Sequence, residues 1–97
     1  AAHRLELTMG TGVARVGQDT AGGVQLGNQN TTVFANGTNI VVLGDVVAGH
    51  GLPPHSPPPP MVSASPTVFC HGIPVCRQGD VAACGHATSG SDNVFIG

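Results

Sequence analysis

The stretch V-F-C-H-G-I-P-V-C-R-Q-G-D, Val68 to Asp80, is two short apolar runs joined at His71-Gly72 and closed by Gly79-Asp80. The phrase returns. Earlier the chain reads V-F-A-N-G-T-N-I-V-V-L-G-D, Val33 to Asp45. One offset, 72 − 37 = 35, superposes Val33 on Val68, Phe34 on Phe69, Gly44 on Gly79 and Asp45 on Asp80. A third copy begins at V-F-I-G, Val94 to Gly97, so the three phenylalanines of the chain share one repeat position. V-A-R-V-G-Q-D, Val13 to Asp19, resembles the second half of the phrase, with Arg15 on Arg77 and Gly17 on Gly79. An internal repeat of this kind sets the architecture before any single motif does.

The chain therefore reads as three equivalent passes, each a half-unit leading through a loop to the next Val-Phe run. Gly17 to Val33 and Gly79 to Val94 are 16 and 15 residues apart, whereas Gly44 to Val68 is 24. The excess is the insertion Gly51 to Pro60, G-L-P-P-H-S-P-P-P-P, which a proline count of this density predicts to be a stiff polyproline arm. Asn36-Gly37 between apolar runs predicts a tight hairpin, and His71-Gly72 stands in its place in the next copy. The flanks are rich in Val, Ile, Thr and Phe and predict strands of about five residues, roughly 17 Å long. Gly and Pro, 15 and 8 of 97 residues, are too dense for a helix. Residues 1–9 predict one further strand, with Leu5, Leu7 and Met9 on one face, and 1–11 form an N-terminal extension of a single domain spanning 1–97.

Composition removes several classes of function. The net charge is −2 with only three cationic side chains and no Tyr or Trp, which excludes the basic, ring-bearing surface that nucleic acid requires. No apolar run approaches the length of a membrane helix. The opening A-A-H-R-L-E-L lacks the apolar core of a signal peptide, so export without one is expected. Three cysteines, all in the last third, point to reduced or metal-bound thiols and not to a disulfide framework.

Pro74-Val75-Cys76-Arg77 followed by Gly79-Asp80, the weaker Gly12-Val13-Ala14-Arg15, and the Val-Phe-x-x-Gly hairpins together resemble the repeats of PAAR-repeat proteins. The resemblance covers residues 12–97. It implies a small cone of three pseudo-threefold related hairpin repeats. The base of such a cone would sit on the blunt end of a trimeric β-helical spike, one copy per spike, and its tip would bind a metal ion through three His and one Cys. It also implies a place on a contractile phage tail or a type VI secretion spike, and a role in piercing a bacterial outer membrane.

Five His and three Cys supply the candidate ligands. The repeat puts hairpin turns at one end of the domain and Gly-Asp loops at the other, and one ion cannot draw on both. At the Gly-Asp end are His50, Cys76, Cys84 and His86, with His55 on the proline arm beside it. The expected ligands are His50, His55, Cys76 and His86, with Cys84 as the substitute thiolate. Zinc is the expected ion, and iron is an alternative that imidazoles also accept. Cys70 and His71 read as a packing residue and a turn residue. Asp45 and Asp80 are expected to bind loop N–H groups. Arg15 and Arg77 either pair with those carboxylates or face a partner. No enzyme is expected: there is no His-Glu-x-x-His motif, and Glu6 is the only glutamate. The alternatives are a small secreted metal-binding or adhesion module without a spike partner and, behind it, a zinc hydrolase.

Overall fold

A computed structural model of the chain describes residues 11–27, 29–30, 32–35 and 37–96. The strand expected over residues 1–9 lies outside these, and so does Asn36. Among the described residues there is no helix, and the domain is all-β. In chain order the strands are β1 (Thr11–Gly12), β2 (Thr20–Ala21), β3 (Gly23–Gly27), β4 (Phe34–Ala35), β5 (Thr38–Asn39), β6 (Val46–Val47), β7 (Phe69–Cys70), β8 (Ile73–Pro74) and β9 (Phe95–Ile96). All but β3 are two residues long, shorter than the sequence predicts. The reason is that each run leaves its hairpin partner after two pairs and bonds to a different neighbour.

Two hairpins form where the repeat places them. Ala35 pairs with Thr38 and Phe34 with Asn39; Cys70 pairs with Ile73 and Phe69 with Pro74. His71 at φ 53° and Gly72 at φ 81° hold both central positions of the second turn in the left-handed region that a tight hairpin needs. Among the described residues, the third Val-Phe run pairs differently. β9 is completed by β1 from the other end of the chain, with Gly12 opposite Phe95 and Thr11 opposite Ile96.

Beyond the hairpins the three runs close a ring. The Ala14 N–H donates to Cys76 C=O at 3.1 Å, Cys76 N–H to Val41 C=O at 2.9 Å, and Val41 N–H to Ala14 C=O at 2.9 Å. A second round closes two residues on in the opposite sense, each run donating to its other neighbour: Val16 to Asn39, Leu43 to Pro74, and Gln78 to Gly12, at 2.7–2.8 Å. Strand alternation then divides the apolar side chains between two cores. Ala14, Val41 and Cys76 point into one with Ala21, Val47, Met61 and Ala82; Val13, Ile40, Val42 and Val75 point into the other with Ala35 and Cys70. Small side chains fill the ring because three backbones converge there.

Each run ends in a corner closed by an aspartate. Carboxylates of Asp19, Asp45 and Asp80 accept from the backbone N–H of Arg15, Val42 and Arg77 at 2.8, 2.9 and 2.7 Å. Arg15 and Arg77 turn back on the same carboxylates with two guanidinium bonds each, at 2.8 and 3.1 Å to Asp19 and 3.0 and 3.1 Å to Asp80. Burial by itself raises the Asp19 and Asp80 carboxyls. The hydrogen bonds and charges of Arg15 and Arg77, together with the hydroxyls of Ser89 and Ser63, outweigh it and leave both acids below their ordinary value. At the third corner Val42 replaces the arginine, and Gln29 donates its side-chain amide to Asp45 at 3.0 Å.

The two ends of the domain differ. At the hairpin end Phe34, Phe69 and Phe95 are exposed by 53%, 56% and 52%. A hollow of about 220 Å³ lies there, lined by Phe34 and Phe69, by the valines at the repeat position before them (Val33, Val68, Val94) and by Ala35, Cys70, Ile96, Val13, Ile40 and Val75. The other end carries the connections between passes. The insertion there is not an extended arm. The His50 N–H bonds to His55 C=O at 3.0 Å and the His55 N–H to Leu52 C=O at 2.8 Å, which closes residues 50–55 into a turn. Pro59 and Pro60 then run alongside the domain, accepting bonds from Val47 and Ala83. Two bonds within six residues outweigh the preference of proline for an extended path.

Candidate metal centre

His50, His55, Cys84 and His86 converge, each offering one ligand atom, and these atoms lie within 4.8 Å of one another. Three of the four expected ligands are in the group. The thiol is Cys84, the substitute, and not Cys76. The physical reason is alternation within the ring. Cys76 gives both its N–H and its C=O to the ring, which turns its side chain inward beside Ala14 and Val41. There it is fully buried and donates to Ser63 C=O at 3.6 Å. Burial, followed by the nearby Asp80 and Asp45 charges, pushes its thiol up to about 12. A thiol held neutral so firmly is a poor source of the thiolate that zinc binds.

Local turns bring the four together. The 50–55 turn sets His50 and His55 on one side of the insertion. Cys84 and His86 flank Gly85, whose φ of 97° allows the chain to reverse, with Gly85 N–H donating to Ala82 C=O and Ala82 N–H to His86 C=O. His50 Nδ1 lies 2.8 Å from Ala48 C=O. A carbonyl can only accept, so Nδ1 carries the proton and Nε2 presents a lone pair, the outer-sphere arrangement common to metal-bound imidazoles.

Around that lone pair stand His86 Nδ1 at 3.0 Å, His55 Nδ1 at 3.2 Å and Cys84 Sγ at 3.5 Å; Cys84 Sγ is 3.7 Å from His86 Nδ1. One lone pair accepts one proton, and it cannot satisfy three neighbours. A cation among them can. Tetrahedral zinc with ordinary bond lengths has N···N edges of about 3.3 Å and N···S edges of about 3.6 Å. These four distances lie near those edges, the remaining pairs lie within 4.8 Å, and the donor set of three imidazoles and one thiol suits zinc. His86 is exposed and the other three are half-buried.

The first connection contributes Gly22 and Gly23, which sequence reasoning missed because glycine carries no donor. A Cβ on Gly23 would run into Ala48 C=O, the acceptor that orients His50. A Cβ on Gly22 would stand 2.5 Å from His50 Nε2 and closer still to His86 Nδ1. The cluster thus has a cradle that a side chain would fill. The Gly-Gly doublet at the bend into β3 was the available signal.

Of the remaining candidates, Cys70 is buried in the hairpin-end core and His71 sits in its turn with Nε2 against Thr32 Oγ1. Neither belongs to the cluster. Neither a scan against models of known protein families nor a search of curated proteins found a match to this chain.

Proposed function

We propose that this chain is a metal-pinned cap for a threefold-symmetric spike, of the kind its PAAR-like motifs suggest. In this reading the three passes are quasi-equivalent units about one axis, which lets a single chain meet three identical subunits. The observation that carries the reading is the hairpin end. Three phenylalanines from one repeat position are exposed to nearly the same extent, and two of them, Phe34 and Phe69, line an apolar hollow. Covering them would contribute on the order of 2 kcal/mol apiece. Supporting it, the closed ring supplies equivalent backbone bonds from each pass. The His/Cys cluster joins connections at the opposite end, where a spike needs a point that does not unfold under load. Such a part performs no chemistry. It would ride on a phage tail or a type VI secretion spike and pass through an outer membrane with it.

The test is binding to a trimeric β-helical spike from the same genome, read by light scattering after co-purification. One copy per trimer is expected, lost on replacing Phe34, Phe69 and Phe95 together by Asp, with metal content unchanged. A stoichiometry of three copies per trimer, or binding that survives the triple change, would sink the proposal.

A further inference from the structure

We infer that Gly22 is the specificity-determining residue of the metal centre: its missing side chain is the space in which the ion's bonds to His50 and His86 lie. The inference rests on the metal reading above and adds a residue that is not a ligand. Gly22 stands at φ 85° in the bend between β2 and β3, directly against the cluster. Among the described glycines, it alone would put a Cβ against two ligand nitrogens, at 2.5 Å from His50 Nε2 and nearer to His86 Nδ1. Bonds from zinc to imidazole nitrogen are about 2.0–2.1 Å. A carbon that close to both nitrogens occupies the same region as the ion, or blocks one of its faces at less than van der Waals distance. With glycine, the backbone closes over the site on that side and still leaves room for the ion. This arrangement favours a compact four-coordinate ion over one that keeps additional waters.

Positive φ is a confounding cost, because alanine is strained there regardless of space. Gly17 removes the ambiguity. It has a similar φ of 76°, and a Cβ on it meets nothing within 4 Å. Gly22→Ala and Gly17→Ala therefore share the strain and differ in the crowding. The experiment measures zinc affinity of the full chain by competition with a chromophoric chelator, and the visible spectrum of the cobalt(II) form as a readout of coordination number. Gly22→Ala is expected to weaken zinc about 10–100-fold and to lose the intense tetrahedral cobalt bands, while Gly17→Ala stays within about threefold of the parent. Equal losses in the two variants would assign the effect to backbone strain and overturn the inference. So would an unchanged affinity in Gly22→Ala. A parent chain that binds no zinc would instead remove the metal reading itself, a different result. If Gly22→Ala does not fold, the same change is made in a His50→Ala/His86→Ala chain, where both imidazoles beside the added Cβ are gone. There Gly22→Ala is expected to cost no more stability than Gly17→Ala in the same background, and a larger loss would also overturn the inference.

Discussion

The ring and the His/Cys cluster are built on the same three passes and use them in opposite ways. In the ring every pass contributes the same thing: one N–H and one C=O at the level of Ala14, Val41 and Cys76, and an aspartate to close the corner. In the cluster no two connections contribute alike. The first supplies Gly22 and Gly23, the second His50 and His55, the third Cys84 and His86. Repetition makes the scaffold, and departures from repetition place the candidate ligands.

The sharpest way to break the comparison is to exchange the roles of its two thiols. Cys84→Ala removes a cluster ligand; Cys76→Ala changes a ring position whose equivalent in the first pass is already Ala14. Structural zinc is worth about 10–16 kcal/mol in small zinc-dependent domains. Cys84→Ala, like chelation of the parent, should therefore abolish stoichiometric zinc and lower the melting midpoint by more than about 10 °C. Cys76→Ala should retain one zinc and cost about 1 kcal/mol, the price of a small cavity. Metal analysis and thermal melts of both variants decide it. Zinc lost from Cys76→Ala and kept in Cys84→Ala would return the thiolate to the ring.

How much of this was legible follows the same division. The hairpins could be read because their turns need glycine at positive φ and their phenylalanines mark the register. The pairing of β9 with β1 and the shortness of the strands were not read from the repeat. Three cluster ligands could be found by sorting His to one end of the repeat. The thiol could not. Cys76 and Cys84 both lie at that end, and the choice depends on which way the ring turns one side chain and on a reversal at Gly85. The insertion was misjudged because its proline content was read without the two hydrogen bonds that fold it.

The corners give a second, smaller contrast. Asp19 and Asp80 each hold an arginine; Asp45 holds Gln29. Asp19→Asn or Asp80→Asn leaves a guanidinium without its carboxylate and a backbone N–H less well satisfied, for about 2–4 kcal/mol. Among the described residues Asp45 has no ion pair to lose, and Asp45→Asn should cost about 1–2 kcal/mol. The acid dependence has a defined sign. Both paired carboxyls are lowered from 3.8 in the folded chain. Their contribution is complete above that value and is lost as pH falls through it toward the folded value. The gap between parent and Asp19→Asn or Asp80→Asn in chemical denaturation should thus be constant near neutrality and shrink below about pH 4. A gap that widens in acid would mean that the carboxyls are not held ionised by their arginines.

The smallest effects test how equivalent the passes are. Before each Val-Phe run stands a buried capping side chain, in the pattern Asn/Ser-x-x-Val-Phe. Asn30 Oδ1 accepts from Thr32 and Val33 N–H, Ser65 Oγ from Thr67 and Val68, and Ser91 Oγ from Asn93 and Val94, at 2.9–3.2 Å. Ser65 and Ser91 also donate their own N–H to Val75 and Val13 C=O at 2.8 Å. At Asn30 the side-chain Nδ2 makes the equivalent bond, to Ile40 C=O at 3.3 Å, and a further one to Val33 C=O at 2.7 Å. Asparagine thus does with its amide what serine shares between side chain and backbone. Ser65→Ala and Ser91→Ala should cost the same, about 1 kcal/mol each. Asn30→Ala should cost about twice that, and Asn30→Ser should recover only part of it, because the hydroxyl cannot span to Ile40. Denaturation midpoints of the four variants measure this directly. Full recovery by Asn30→Ser would show that the first pass can adopt the serine geometry, and that the asparagine is incidental to the ring.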